Sequence, residues 1–166
     1  MLLIQKRCES SAPATERLVL PFELRQKSRL RTKLESGEEA ALFLERGNVL
    51  RGGDRLMADD GRVVEVVAAR ERLLVVRAGN AKELARAAYH LGNRHIPVEV
   101  GADALKLEYD HVLEDMLHKL GVETSEQHGP FEPEAGAYGG GHTHHGHDDA
   151  EAADIVELLA MKRSRA

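Results

Sequence analysis

Apolar and polar side chains alternate with a period of two along much of the first part of the chain. Arg29–Leu34 alternates strictly, Ala40–Leu44 is a compact apolar run, and Arg62–Val67 is rich in β-branched residues. Such patterns are typical of β-strands, and the glycine-containing turn signals between them are typical of short connections. The pattern predicts an N-terminal all-β domain over residues 1–70, built as a small sandwich or barrel.

Helical periodicity appears after residue 80. Asn80 followed by Glu83 is a helix-start signal, because both side chains can satisfy backbone N–H groups that the first turn leaves without partners. Apolar residues then recur at helical spacing as far as Gly92, where we expect a left-handed residue to end the helix. Asp110 is the predicted cap of a second helix, which Gly121 closes.

Strand patterns flank both predicted helices. Arg72–Ala78 precedes the first helix, Ile96–Val100 and Leu105–Tyr109 lie between the two helices, and Val122–Gln127 follows the second. Strand, helix, strand, strand, helix, strand is the order of a ferredoxin-like fold. We therefore expect an α+β chain with a ferredoxin-like βαββαβ domain over residues 71–138.

Composition excludes several classes of protein. The net charge is −5, which disfavours nucleic acid as a partner. One cysteine excludes an internal disulfide framework, and no apolar run approaches the length of a membrane span. Phosphate-binding loops, nucleophile elbows and HExxH pairs are absent from the sequence. These observations predict a cytoplasmic protein that is not an enzyme and contacts no membrane.

Basic side chains recur at every second position before and within the first predicted strand. The residues are Arg25, Lys27, Arg29, Arg31 and Lys33. On an extended chain they would share one face, which is either a solvated strand face or a docking surface for an acidic protein.

Residues 139–166 are glycine-rich at first and then rich in histidine. Four imidazoles occur within six residues, at His142, His144, His145 and His147. Neutral imidazole suits Ni²⁺, Zn²⁺ and Cu²⁺, and glycine-rich flanks allow several rings to wrap one ion. We predict a flexible metal-binding tail. An expression tag or a solvating tail is the alternative, which the interrupted run and its internal position disfavour.

An ordered metal site needs ligands outside the tail, and His95 is the first candidate, on a β edge immediately after the first predicted helix and its turn. A lone histidine is more often a surface or core residue than a ligand, and one imidazole holds an ion weakly. A two-fold dimer would double every residue near its axis, so two copies of His95 with tail imidazoles would supply four or more ligands. His111, at the start of the second predicted helix, is a weaker candidate.

Several motifs in order resemble the UreE family of urease accessory metallochaperones. They are Arg46–Asp54, Tyr89–Pro97, Tyr109–Leu117 and Pro130–Tyr138, followed by the histidine-rich tail. The resemblance implies a peptide-binding-like N-terminal domain, a ferredoxin-like metal-binding domain and a homodimer.

The same resemblance implies a role and a set of ligands. Ni²⁺ would bind His95 at the dimer axis with help from the tail, and would pass to the urease apoprotein activation complex through the GTPase UreG. Some members carry histidine where this chain has Tyr109, so a second site at His111 would lack one ligand.

Two other functions are open at this stage. The chain could be a store that sequesters divalent metal through its tail alone. It could also be an interaction module whose β domain captures peptides. Loss of nearly all bound metal on deletion of residues 142–147 would favour the first. The second fails if urease activation depends on His95 but tolerates loss of residues 1–70.

Overall fold

The computed structural model describes residues 1–8 and 13–136. The described chain divides into two compact units between Val67 and Ala68, giving a two-domain, sheet-rich α+β architecture. The histidine-rich segment, His142–His147, lies outside the described residues. No helix of the described chain is long and apolar enough to cross a membrane.

The described part of the first unit contains a six-stranded sheet and one short helix. Their bounds are β1 Leu2–Arg7, β2 Glu16–Leu20, α1 Phe22–Arg25, β3 Arg29–Lys33, β4 Glu39–Phe43, β5 Arg55–Ala58 and β6 Val63–Ala68. The strand order is β2-β6-β5-β1-β4-β3, and β1 pairs with β4 in parallel. Alternate apolar side chains of these strands, among them Ile4, Leu18 and Leu56, form one buried cluster.

The predicted strands of the first unit are present as β3, β4 and β6, but β1, β2 and β5 were not anticipated. Leu2, Leu3 and Ile4 of β1 are consecutive and all buried, so this strand lacks the alternation that identifies a half-exposed strand.

The expected row of five basic side chains is also wrong at its start. Arg25 ends α1 and is fully buried, with Nη1 donating to the Leu50 carbonyl at 3.2 Å. The chain is helical at this point, so Arg25 cannot share a strand face with Arg29.

The second unit follows the predicted order of elements. The bounds are β7 Arg70–Arg77, α2 Ala81–Gly92, β8 Glu99–Val100, β9 Leu105–Glu108, α3 His111–Lys119 and β10 Glu123–Pro130. The sheet is antiparallel throughout, with the order β10-β7-β9-β8. The last strand, predicted over 122–127, reaches Pro130 and pairs with β7 along its whole length.

Both helices of the second unit pack their apolar residues on this sheet. Leu91 of α2 and Leu117 of α3 are fully buried, and they join Leu74 and Leu107 in one cluster. The predicted caps are confirmed, because Asn80 accepts from the Glu83 backbone N–H and Asp110 accepts from two N–H groups of α3. This packing fixes both ends of each helix relative to the sheet.

Candidate metal centre

His95 lies in the turn that ends α2. The backbone N–H of His95 donates to Gly92 O at 2.9 Å, and that of Ile96 donates to Leu91 O at 3.2 Å. This pair of hydrogen bonds forms a Schellman motif. In that motif the first residue after the helix, here His95, adopts the left-handed conformation. His95 accordingly has φ of 55°, the one positive φ outside glycine in the described chain.

The predicted end of α2 at Gly92 is confirmed, but the left-handed residue is not Gly92, because it comes three positions later, at His95. The expected place of His95 on a strand edge is wrong, because β8 begins only at Glu99. The buried Leu91 and the partly buried Ile96 both belong to the core cluster. Hydrophobic contact at this place commonly accompanies the motif and holds such a turn closed.

The conformation of His95 bears on what the residue can do. Left-handed backbone costs an L-residue roughly 1–2 kcal/mol, so glycine is the usual occupant of this position. The side chain of His95 is exposed, at the helix end that carries partial negative charge. A cation held by this imidazole would be stabilised by that charge.

His111 occupies the opposite kind of helix end. It is the first residue of α3 and is exposed. The preceding Asp110 accepts hydrogen bonds through Oδ1 from Val112 N at 2.7 Å and Leu113 N at 3.0 Å. The start of a helix carries partial positive charge, which disfavours a cation.

The structure does not assemble a complete metal site. Within residues 1–8 and 13–136, no three His, Cys, Asp or Glu side chains are placed to hold one ion. Neither His95 nor His111 belongs to such a group, and the four tail histidines are outside the described residues.

Other histidines of the second unit have local structural contacts. His118 Nε2 lies 2.7 Å from Thr124 Oγ1, and that hydroxyl donates to Glu114 Oε1 at 3.1 Å. The His90 ring meets Tyr89 edge-on at 5.5 Å. These contacts tie α3 to β10 and order the last turn of α2.

Charged side chains lie close to Tyr109, which precedes α3 by two residues. Partial burial, with the nearby Glu114 carboxylate, raises the pKa of Tyr109. The Arg72 guanidinium lies 3.7 Å over the Tyr109 ring and donates to both oxygens of Glu126, whose pKa it lowers. Tyr109 therefore stays a neutral phenol near pH 7 and supports the entry to α3 as a packing residue.

A further contact joins the segment after β10 to β8 and was not anticipated from the sequence. The backbone N–H of Glu132 donates to Glu99 Oε2 at 2.8 Å, and that of Glu134 donates to Val98 O at 2.9 Å. The alternation of apolar and acidic residues from Phe131 to Glu134 is its one sequence signal.

Comparison with known proteins agrees with this architecture. The UreE urease accessory protein N-terminal domain matches residues 4–69, and the UreE C-terminal domain matches residues 71–154. The two matches meet close to the division between the compact units.

Individual relatives carry the same name. Proteins named "Urease accessory protein UreE" from Cupriavidus necator and Cupriavidus pinatubonensis are each 64% identical over 145 residues, which is 87% of this chain. One from Paraburkholderia xenovorans is 61% identical over 139 residues, or 84% of this chain. The matched segment spans 75%, 65% and 61% of these three relatives. UreE proteins are accessory chaperones and not catalytic enzymes, and the chain belongs to this family.

Proposed function

We propose that the chain is a nickel metallochaperone that delivers Ni²⁺ for assembly of the urease active-site metallocentre. Membership of a urease accessory family supports the destination of the metal. The exposed imidazole of His95 at a helix C-terminus supports the binding step. Nickel is the cargo in this proposal, and Zn²⁺ or Cu²⁺ would bind the same ligands in vitro.

The proposed site joins two copies of the chain in a homodimer. Each copy contributes one His95, and tail residues His142, His144, His145 and His147 complete the ligand set. Tyr89 of α2 is 66% exposed and Val112 of α3 is 61% exposed, and both helices pack on the same core cluster. A second copy that covers the exposed sides of these helices would bring the ends of its own helices to the same interface.

The two units and the tail have separate proposed roles. Residues 71–138 form the metal-binding domain, and the antiparallel order β10-β7-β9-β8 with two helices supports a ferredoxin-like assignment. Residues 1–70 form a β-rich, peptide-binding-like domain, and residues 139–166 form a histidine-rich collecting tail. His111 is retained as an accessory ligand of lower affinity.

Delivery of Ni²⁺ requires other proteins that receive the ion from this chain. We propose UreG, a GTPase accessory protein, and the urease apoprotein complex as the recipients, in the cytoplasm. Cu²⁺ binds nitrogen ligands more tightly than Ni²⁺ does, so supply and partner recognition would select nickel. A site shared by two chains can open when the ligands separate, which suits transfer of an ion.

A nickel titration combined with a molecular-mass measurement tests this function. His95→Ala should weaken the tight dimer site at least about tenfold while the tail continues to bind metal. His128→Ala is the matched control, because His128 is another exposed histidine of the same unit. Tight binding that is unchanged in His95→Ala would refute the shared site.

Metal storage is the alternative function, favoured by the density of imidazoles in the tail. Replacing the four tail histidines by asparagine separates the two functions. A store would lose nearly all bound nickel, whereas a chaperone would keep the ions held by His95.

A further inference from the structure

A cleft of about 490 Å³ lies on the first unit, and we call it the basic cleft. Strand β1 supplies Lys6, β3 supplies Arg29 and β4 supplies Phe43, and residues 44–46, which follow β4, lie beside them. Three strands of one sheet thus contribute to a single surface. A site built on strands is held in position more precisely than one built on loops.

Arg29 and Phe43 form one wall of the basic cleft. They pair with each other across β3 and β4, whereas the adjoining pair, Leu30 and Leu42, belongs to the core. Because side chains alternate between the two faces of a sheet, Arg29 and Phe43 point away from that core. The Arg29 guanidinium lies 4.8 Å from the centre of the Phe43 ring. A stacked guanidinium keeps its in-plane N–H groups for a carboxylate, which it can bind through two parallel hydrogen bonds.

The cations of the basic cleft are not neutralised within the unit. In the described part of the chain, Lys6, Arg29 and Arg46 form no ion pair with a carboxylate. Glu45 is the one acidic residue of the described lining, so the side chains of the cleft carry a net charge of +2. Other cations of the unit do form ion pairs, at 2.7–3.2 Å, and these are Arg7–Asp54, Arg17–Glu35 and Arg62–Glu38.

Protection of a sheet edge does not account for this charge. Charged side chains commonly guard exposed edge strands, and β3 is the last strand of the described sheet. However, Lys6 is on β1, which lies between β5 and β4, and Arg46 follows β4 outside any strand. Two of the three cations therefore lie where no edge needs protection. Of the two readings of the basic residues left open by the sequence, this favours a docking surface.

We propose that the basic cleft binds an acidic segment of a partner protein, with carboxylates beside its three cations and an apolar side chain against Phe43 and Leu44. Arginine and aromatic side chains are enriched in protein interfaces. The positive charge of the cleft complements carboxylates and repels basic segments. The inference rests on the proposed function for the peptide-binding role of the first unit, and it adds the class of peptide and the surface that holds it.

A peptide titration with the full-length chain tests the basic cleft. The probe is a fluorescein-labelled heptapeptide in which glutamate alternates with leucine. Lys6→Glu with Arg46→Glu replaces two attractions by repulsions at exposed positions, and should weaken peptide binding about tenfold. The matched control is Lys82→Glu with Arg86→Glu, which makes the same change in net charge on exposed positions of α2 and should bind as the wild type does.

Two results of this titration would overturn the proposal. The first is an affinity that the charge reversal at Lys6 and Arg46 leaves unchanged, or a wild-type chain that does not bind the peptide. The second is an equal loss in the control variant, because net charge alone would then explain the binding.

Changing the probe keeps the protein intact and tests the apolar contact with Phe43 and Leu44. A heptapeptide with serine in place of leucine keeps its carboxylates and should bind at least about threefold more weakly. Raising the salt concentration from about 0.05 M to 0.5 M should weaken binding of the leucine peptide, because exposed charges are screened. Equal affinity for the two peptides, or tighter binding of a single-stranded oligonucleotide of the same charge, would overturn the proposal.

Nickel binding separates this inference from the proposed function. The variant with Lys6→Glu and Arg46→Glu should keep tight nickel binding, and His95→Ala should keep peptide binding. Loss of peptide binding in His95→Ala would overturn the assignment of the peptide to the basic cleft. The proposed function fails by a different result, which is tight nickel binding that His95→Ala leaves intact.

Discussion

The C-terminal end of α2 and the N-terminal end of α3 each present an exposed histidine. The backbone groups beside the two histidines are opposite in polarity. His95 follows its helix, in a left-handed conformation, beside carbonyl groups. His111 opens its helix, next to N–H groups that Asp110 already satisfies. The backbone dipoles therefore favour a cation at His95 and disfavour one at His111, typically by about 0.3–1 kcal/mol in each direction. The neighbouring side-chain charges act in the opposite sense, because the Arg94 guanidinium donates to His90 O at the end of α2 and the Asp110 carboxylate caps the start of α3. Residue type and exposure alone would rank these histidines equally, and the backbone is the difference that substitution of each histidine tests.

Replacing each histidine by alanine should give the largest difference in nickel affinity between the two positions. His95→Ala should lower nickel affinity at least about tenfold, since the proposed dimer would lose two ligands at once. His111→Ala should change it less than about twofold. Isothermal titration of both variants at one pH provides the measurement. Equal losses would contradict the ranking.

Acidification should weaken nickel binding in the wild-type chain, because imidazole must be neutral to bind a metal. Between about pH 8 and pH 5 we expect a loss of about tenfold or more. Equilibrium dialysis across this range measures the change. A flat profile would mean that carboxylates hold the ion.

The cap of α3 should matter for stability and little for metal. Asp110→Ala removes an acceptor for two backbone N–H groups, and should lower the free energy of unfolding of the second unit by about 1 kcal/mol. Asp115→Ala, at an exposed position in the same helix, is the control. Chemical denaturation without metal measures both variants. A large loss of nickel affinity in Asp110→Ala would instead give the start of α3 a direct role in binding.

Backbone strain at His95 predicts the smallest effect. His95→Gly should be more stable than His95→Ala by about 0.5–1 kcal/mol, because glycine adopts φ of 55° without a Cβ clash. Both variants should lose the dimer metal site. Thermal unfolding without metal compares them, and equal stabilities would show that the left-handed conformation is not strained.

Sequence reasoning found what local patterns encode. Asn80 and Asp110 were identified as caps because capping depends on neighbours two or three residues away. The left-handed turn at His95 was missed, because glycine at position 92 is the stronger local signal and tertiary packing of Leu91 and Ile96 decides where the helix ends. The prediction that Arg25 belongs to the row of basic side chains was wrong for a similar reason, because the burial of Arg25 is a property of the folded unit.

Only part of the candidate site could be predicted from the sequence. His95 was selected through its motif, but the contact between Glu99 and Glu132 joins residues 33 positions apart, which no local pattern reports. The ranking of His95 above His111 now has a physical basis in helix polarity, whereas the sequence offered only a missing histidine at Tyr109.

Diffraction from crystals of the nickel-loaded chain, recorded at the nickel absorption edge, would locate the bound ion. A site shared by two chains requires one anomalous peak between the His95 imidazoles of two chains related by a two-fold axis. A nickel peak bound elsewhere, with the two His95 rings far apart in every pair of chains, would contradict it.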